Sequence, residues 1–262
     1  MNHSLSLRWL GVAGFQFYWK DQSFLIDPFI SRSDHANPKF STSLSEFSTV
    51  SLIMISHGHF DHAMDGHRIA QYSQADVYAP KKICAIYQKK GVLPNKMHAN
   101  ESSTSFLYHG IECQVILSQH IRFDMPIIVK TLYQIIKGGI FKEFLSLALS
   151  YPMGSNSNFL MNINGYKILY TGSGGGNFED QAKLHPNCLM LPFAGRSDLI
   201  SYYYKALCLI QPEIVILHHF DMFYPHFCVS YPVIQFKELL AQKLPSVTCI
   251  VPVIGEKFYL PL

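Results

Sequence analysis

Three histidines and one aspartate lie within six residues of the sequence, at His57, His59, Asp61 and His62. Imidazole nitrogens and carboxylate oxygens are ligands that Zn²⁺ and similar divalent cations prefer in proteins. The motif follows an apolar run at 50–55, which predicts a buried strand, and a helix is predicted over 61–74. A tight turn after a strand places the first two histidines on one side. The pattern therefore predicts a metal site rather than a histidine-rich surface turn.

Further polar side chains follow other predicted strands. His120 follows the run 113–118, a glycine-rich loop at 172–176 follows a strand at 167–170, and His218 and His219 follow the run 214–217. Loops at strand ends in a layered α/β fold can bring side chains from distant parts of the sequence to one cleft. The glycine-rich loop lacks the Lys-Ser/Thr pair of a phosphate-binding loop, so it is expected to be a tight loop beside the cleft.

Size and composition predict a compact protein that does not bind nucleic acid. The chain has 262 residues, 48% of them hydrophobic and 15% charged, with a formal net charge of +3. A charge this small and evenly spread does not favour a nucleic-acid partner. The N-terminal residues lack the pattern of a signal peptide, and six scattered cysteines without a CxxC pair are typical of reduced thiols. We therefore expect a cytoplasmic protein.

Predicted strands and helices alternate along the chain. An opening antiparallel set is predicted at 5–10, 15–19 and 24–26, and a hairpin at 106–108 and 111–117. Helices are predicted at 80–90, 199–210 and 233–244, with strands between them. Such interleaving predicts a single α/β domain over residues 1–262.

Taken together, the motifs resemble those of the metallo-β-lactamase superfamily, and most closely its branch of lactonases and phosphodiesterases. The resemblance covers nearly the whole chain. Besides the histidine motif it rests on WLGVAGF at 9–15, LIDP at 25–28, YTG at 170–172, LPFAG at 191–195, and the histidines at 120 and 219. It implies a four-layer αββα sandwich that carries a metal-dependent hydrolase site.

The resemblance implies two adjacent metal sites. Carried over position by position, each site maps onto three residues: His57, His59 and His120 for the first, and Asp61, His62 and His219 for the second. For the last ligand, His219 is preferred to His218 because Phe220 and Asp221 match the residues that usually follow the ligand. His218 is then expected to end its strand facing the core.

One position departs from the family pattern. The aspartate that normally follows Tyr-Thr-Gly and bridges two ions is replaced by Ser173. A neutral hydroxyl is a poor bridging ligand for two dications, since it brings neither the charge nor the second oxygen. Three outcomes stay open. The protein holds one ion instead of two, or Asp221, Glu179 or Asp180 replaces the carboxylate, or catalysis is lost and a degenerate metal- or ligand-binding protein remains.

The chemistry implied by the resemblance is attack of a metal-bound hydroxide on a phosphodiester, lactone or related ester. Three protein imidazoles leave a position open for water, whose pKa falls to about 7 on the metal. Asp61 is the expected catalytic residue, as a ligand or as an orienting base. Asp27 is expected either to accept a hydrogen bond from a ligand histidine or to form an Asp-Pro turn. Zn²⁺ is the expected ion, and Mn²⁺ and Fe²⁺ accept the same donors.

Residues 122–153 form an apolar insertion between His120 and the next strand. Lysines interrupt it and Gly138-Gly139 breaks it, so it does not supply the ~20 consecutive apolar residues of a transmembrane helix. The pattern predicts two short amphipathic helices joined at the glycines. Such a pair forms a lid over the cleft, touches a membrane surface, contacts a second copy of the chain, or extends the core. The lid favours a small amphipathic or lipid-like ester as substrate.

Overall fold

The computed structural model describes residues 5–100, 104–226 and 228–262. The argument against a signal peptide depends on residues 1–8, and residues 1–4 of that segment lie outside the described residues. Within the described ranges the chain forms fourteen strands: β1 (Leu5–Gly11), β2 (Gly14–Trp19), β3 (Gln22–Ile26), β4 (Val50–Met54), β5 (Asp76–Ala79), β6 (Met97–Ala99), β7 (Ser105–Tyr108), β8 (Ile111–Ser118), β9 (Asn156–Ile163), β10 (Tyr166–Thr171), β11 (Cys188–Pro192), β12 (Ile214–His218), β13 (Thr248–Ile250) and β14 (Lys257–Leu260).

Eight α-helices connect or cover these strands in the described ranges: α1 (Phe60–Ala63), α2 (Gly66–Ser73), α3 (Lys81–Lys89), α4 (Met125–Lys137), α5 (Phe141–Ser150), α6 (Phe178–Ala182), α7 (Leu199–Ile210) and α8 (Val233–Lys243). Short 3₁₀ helices lie at Leu44–Phe47 and Pro94–Lys96. Across the described ranges, no helix combines the length and the hydropathy that membrane crossing requires.

The strands form two seven-stranded sheets, in the orders β14-β1-β2-β3-β4-β5-β6 and β13-β12-β11-β10-β9-β8-β7. Alternate residues of a strand point to opposite faces. Phe159 and Met161 of β9 therefore pack between the two sheets, while Leu160 packs outwards in the same cluster as residues of α7 and α8. Residues of α2 and α3 cover the first sheet in the same way. The predicted four-layer αββα sandwich is confirmed.

The predicted helix over 61–74 is wrong in one respect, because it is two helices, α1 and α2, separated at Met64 and Asp65. The carboxylate of Asp65 points inwards and accepts hydrogen bonds from the backbone N–H groups of Ile30 and Ser31, each at 2.8 Å. The chain turns at Asp65 to make these bonds to a distant loop. Local sequence periodicity carries no information about such a partner.

The insertion consists of α4 and α5, separated at Gly138, Gly139 and Ile140. Helix α4 begins after Asp124, whose Oδ1 accepts a hydrogen bond from the backbone N–H of Ile127 at 3.0 Å. This is an ordinary N-cap, which satisfies one of the free donors of the first turn.

Five strand ends meet at one edge of the sandwich. Strands β8 and β10 both run antiparallel to β9, and β10, β11 and β12 run parallel, so β8, β10 and β12 share one direction. In the other sheet β3 and β4 are also parallel. The residues that follow these strands can therefore converge from both sheets on a single cleft.

Candidate metal centre

The first cluster of donor atoms comes from three histidines after β4 and β8. His57, His59 and His120 each place a ligand atom within 4.8 Å of the other two. The Nε2 atom of His57 lies 3.0 Å from the Nδ1 atom of His59. His120 donates from Nδ1 to the carbonyl oxygen of Ile121 at 2.8 Å, which leaves its Nε2 atom to face the cluster. Three imidazole nitrogens thus converge from two separate loops.

Burial keeps these rings in the form that binds metals. It lowers the pKa of His57 well below its usual value and the pKa of His59 to about 4. Burial likewise lowers the pKa of His120. All three side chains are therefore neutral at pH 7, and a neutral imidazole has the free lone pair that a metal ligand needs. The donor set fits a divalent cation.

The second cluster joins Asp61 and His62 of α1 to His219 after β12. Asp61 Oδ2 lies 3.1 Å from Nε2 of His219 and 3.9 Å from Nε2 of His62. Burial alone would raise the pKa of Asp61, but the electrostatic interaction with His62 and the hydrogen bond with His219 outweigh burial and hold this pKa well below its usual value. The cluster therefore offers an ionised carboxylate beside two imidazoles.

Asp27 is fully buried behind the second cluster and accepts hydrogen bonds from three side chains. Its Oδ2 receives Nδ1–H of His62 at 2.8 Å and the hydroxyl of Tyr170 at 2.7 Å, together with the hydroxyl of Ser56. Its Oδ1 receives the backbone N–H of Ser56 at 2.6 Å. Although Asp27 also lies near donor atoms of His57 and His62, its oxygens are already committed. It fixes the ring of His62 so that Nε2 points toward Asp61.

The charges around His62 reflect this arrangement. Burial acts to lower the pKa of His62, but the carboxylates of Asp27 and Asp61 outweigh burial and raise it. Asp27 adopts a left-handed backbone with φ of 44°, which is uncommon for a residue other than glycine. Such conformations persist where surrounding contacts over-determine them, as the hydrogen bonds to Asp27 do here.

A buried ion pair that sequence reasoning missed supports the loop of His219. The carboxylate of Asp221 accepts one hydrogen bond from the guanidinium of Arg32 at 2.5 Å and another from the backbone N–H of Val12 at 2.9 Å. The carbonyl oxygen of Val12 in turn accepts a hydrogen bond from the backbone N–H of His219 at 2.7 Å. The two paired side chains are only 2% and 0% exposed. Arg32 and Asp221 are 189 positions apart, so no local pattern signals the pair.

Each of the three acidic residues considered as a replacement for the missing bridge has other surroundings in the structure. Asp221 lines the cleft, but both its oxygens are taken by Arg32 and Val12. Glu179 and Asp180 are exposed on α6 and do not line the cleft. Asp180 instead pairs with Lys183 at 2.7 Å. Asp221 and Asp180 are therefore paired with other residues, and Glu179 is exposed to solvent.

Ser173, at the sequence position where the family resemblance implies a bridging aspartate, lies in the wall of the cleft. It is 6% exposed, and within the described part of the chain its hydroxyl oxygen has no hydrogen-bond partner. A buried hydroxyl without a partner costs free energy.

His218, the neighbour of the candidate ligand His219, is fully buried. Its ring stacks on Tyr170 in the core, as predicted.

The glycine-rich loop packs directly against the backbone that carries His120. A Cβ atom on Gly175 would lie 2.4 Å from the carbonyl oxygen of Gln119 and 2.4 Å from the nitrogen of Ile121. Gly58, between the first two histidines, is equally confined, because its Cβ would lie 2.1 Å from the carbonyl oxygen of Pro152. These glycines allow neighbouring backbone to pack directly against each of the two loops that carry the histidines.

We therefore predict that Gly175→Ala displaces His120 and weakens metal binding about 10- to 100-fold, as expected when the support of a ligand is disturbed. Titration of the purified variant with Zn²⁺ checks this. Gly165→Ala, in the turn between β9 and β10, is the control for a general loss of stability, because its left-handed φ of 93° strains an alanine while no atom lies within 4 Å of its Cβ. Unchanged affinity in Gly175→Ala would mean that the loop does not position His120.

The cleft beside the two clusters has a volume of about 520 Å³ and one largely apolar wall. That wall comes from the insertion, with Ile127 and Ile135 of α4 and Phe144 of α5 facing the donor atoms. Tyr151 and Phe223 extend it. A ligand here would place a polar, reacting part against the histidines and an apolar part against the helices.

Comparison with known proteins gives consistent matches over most of the chain. A family model described as the β-lactamase superfamily domain matches residues 6–219. A UPF0173 metal-dependent hydrolase of Methanosarcina mazei is 27% identical over 223 residues, which cover 84% of both chains. Another of Methanobrevibacter smithii is 24% identical over 263 residues, covering 97% of this chain and 96% of its own.

Solved structures share the fold at lower identity. A metallo hydrolase from the hyperthermophilic archaeon Ignicoccus hospitalis superimposes with a TM-score of 0.69 at 17% identity, covering 99% of both chains. At this identity the likeness speaks for the architecture alone.

Proposed function

Because this chain belongs to the β-lactamase superfamily domain family, we propose that it is a metal-dependent hydrolase of an ester-type bond. The observation that carries the proposal is the convergence of two donor clusters at the end of one cleft. The relatives named above as metal-dependent hydrolases support it. A phosphodiester or a lactone is the proposed reacting group, since a divalent cation can polarise the phosphoryl oxygen of the first or the carbonyl oxygen of the second.

We assign the first ion to His57, His59 and His120, and a second, weaker position to Asp61, His62 and His219. Zn²⁺ is the proposed ion because imidazole-rich sites suit it, and Mn²⁺ or Fe²⁺ would find the same donors. When bound, a divalent cation acts as a Lewis acid and makes a coordinated water more acidic. The neutral state of the three histidines supports this assignment.

The chain's own residues have separate tasks in this proposal. The ionised carboxylate of Asp61 accepts a hydrogen bond from the attacking water and so orients it. Asp27 fixes the ring of His62 through the 2.8 Å hydrogen bond at Nδ1. The wall formed by α4 and α5 binds the apolar part of the substrate and keeps bulk water away from the reacting bond.

The two-ion question depends on Ser173, and Ser173→Asp should raise the metal content of the protein from about one to about two equivalents per chain. The carboxylate supplies the charge and the second oxygen that a hydroxyl lacks. Elemental analysis after dialysis measures the change. Ser173→Asn is the matched control, because it has nearly the same shape without the charge. Equal metal content in both variants would refute a missing carboxylate as the cause of weak second-site binding.

A second candidate function is metal or ligand binding without turnover, and the neutral Ser173 in the cleft is the observation that favours it. Metal counting together with assays of p-nitrophenyl phosphodiesters, p-nitrophenyl esters and lactones separates the candidates. Bound metal with turnover supports the hydrolase. Bound metal without turnover of any of these substrates supports the binder. Absence of metal after purification without chelator contradicts both assignments of the histidines.

A further inference from the structure

Helix α4 carries apolar side chains on two neighbouring faces. One face lines the cleft with Ile127 and Ile135. The next face exposes Met125, Val129 and Ile136, which are 68%, 59% and 63% accessible to solvent. Residues spaced by four and seven positions lie on one side of a helix, so these three side chains form a continuous outer stripe.

Helix α5 repeats the arrangement. Phe144 and Ala148 face the cleft. Phe141, Leu145 and Leu149 follow at intervals of four residues and are 51%, 46% and 73% exposed. The apolar surface therefore runs without interruption from the cleft wall round to the outside of both helices. Large exposed apolar side chains gathered in this way mark an interaction surface.

Lysines border both stripes on the side away from the cleft. Lys130 and Lys137 each follow a stripe residue of α4 by one position, and Lys142 does the same on α5. One position turns a helix by about 100°, which sets each lysine beside the stripe. The single acidic residue within the two helices, Glu143, is already bound to the hydroxyl of Tyr224 at 2.5 Å.

We propose that the outer stripes of α4 and α5 dock this protein on an anionic phospholipid surface. An apolar stripe bordered by lysines is the pattern of a helix that lies in a membrane interface, with the apolar side chains among the acyl chains and the ammonium groups at the phosphates. The choice of substrate rests on the proposed function. Because the stripe continues into the cleft wall, an amphipathic ester enters from the lipid with its apolar chain against Ile127 and Phe144.

Charge decides between a lipid surface and a second copy of the chain. In a two-fold dimer the same surface meets itself, so Lys130, Lys137 and Lys142 would be brought against a surface that carries more lysines and whose helices offer no acidic residue except the bound Glu143. Like charges brought together across an interface oppose association. An anionic lipid surface supplies the opposite charge to all three side chains at once. Lipid is therefore the occupant that both the apolar and the charged residues fit.

Co-sedimentation of the full chain with vesicles tests the docking. Binding is expected to vesicles of phosphatidylcholine with phosphatidylglycerol, and much less to phosphatidylcholine alone, with a decrease as salt rises. Changing Lys130, Lys137 and Lys142 together to glutamine should lower the partition coefficient about 100-fold, at about fivefold for each lysine. Leu149→Ser should lower it about tenfold. Ile234→Ser, at an exposed position of α8, is the control and should change nothing.

Separate readouts distinguish this inference from the proposed function. His59→Ala should bind the vesicles like the unaltered chain, because His59 lines the cleft and does not belong to the outer stripes. Loss of hydrolysis in this variant therefore tests the proposed function and leaves the docking unaffected. Failure of the folded chain to bind anionic vesicles overturns the docking, as does a concentration-dependent dimer that Leu149→Ser abolishes. Anionic vesicles should accelerate hydrolysis of a long-chain ester presented in them and leave a short-chain soluble ester unaffected. Equal effects on both esters overturn the lipid-derived substrate.

Discussion

Replacing His59 by alanine should lower the hydrolytic rate on the order of 1,000-fold or more and reduce the metal content of the purified protein. The first cluster would then keep two imidazoles, which are too few to hold a divalent cation against dialysis. Loss of the ion removes several kcal/mol of transition-state stabilisation, and each 1.36 kcal/mol corresponds to a tenfold change in rate. Initial rates with a p-nitrophenyl ester or phosphodiester, combined with elemental analysis, measure both effects.

A matched control is available in His35→Ala, because His35 is exposed in a loop and contributes to neither cluster. This variant should keep its rate and its metal. Circular dichroism of His59→Ala should match that of the unaltered chain, since His59 lies at the rim of the cleft and not in the core. If the His59 variant retained full activity, the proposed site would be wrong.

Changing Arg32 to methionine should lower the free energy of unfolding by about 3–5 kcal/mol, which is the usual cost of leaving a buried charge without its partner. Asp221 would lose the guanidinium at 2.5 Å while still completely buried. Urea denaturation measures the change. Because Asp221 also holds the loop of His219 through Val12, we expect weaker binding of the second ion in the same variant.

The double variant Arg32→Met with Asp221→Asn distinguishes charge from packing. Asparagine keeps an acceptor for the backbone N–H of Val12 and removes the uncompensated charge, so part of the lost stability should return. Lys183→Met breaks an exposed ion pair with Asp180 and should leave the urea midpoint unchanged. An Arg32 variant that unfolds at the same urea concentration as the Lys183 variant would contradict the importance of the buried pair.

Much of the fold was predictable from periodicity and turn chemistry. The strands at 5–10, 15–19 and 24–26 were anticipated within one or two residues of β1, β2 and β3, and the helix at 199–210 matches α7. The break of the insertion at Gly138 also follows from sequence, because glycine favours the end of a helix. Period-2 alternation survives where one face of a strand meets the inner core and the other meets helices.

Features that depend on distant partners were not predictable. Strand β6 at Met97–Ala99 has all three residues only half-buried, so it carries no strong apolar pattern. The turn at Asp65 depends on the backbone of residues 30 and 31, and the place of Asp221 depends on Arg32. Each is a hydrogen bond or ion pair between segments that only the completed fold brings together. A single sequence shows the residue types and hides the pairing.

The candidate site divides in the same way. The types and spacing of His57, His59, Asp61 and His62 were sufficient to predict a cluster of donors, since four of the six members lie within one turn and its helix. The placement of His120 and His219 could be inferred from strand ends and family resemblance. The pairing of Asp221 with Arg32 could not be inferred, because an acidic residue two positions after a histidine looks the same in the sequence whether it binds a metal ion or an arginine.

Strand β14 completes the first sheet by pairing with β1, with Leu260 opposite Leu5. During synthesis, β1 therefore leaves the ribosome long before the strand that protects its edge. Until translation reaches residue 260, the nascent chain exposes an unpaired, largely apolar strand edge of the kind that recruits other chains. Pairing across such a separation in sequence also slows folding. This strand order predicts that folding depends on chaperones. A protein whose first strand pairs only with strands close to it in sequence would not have this dependence.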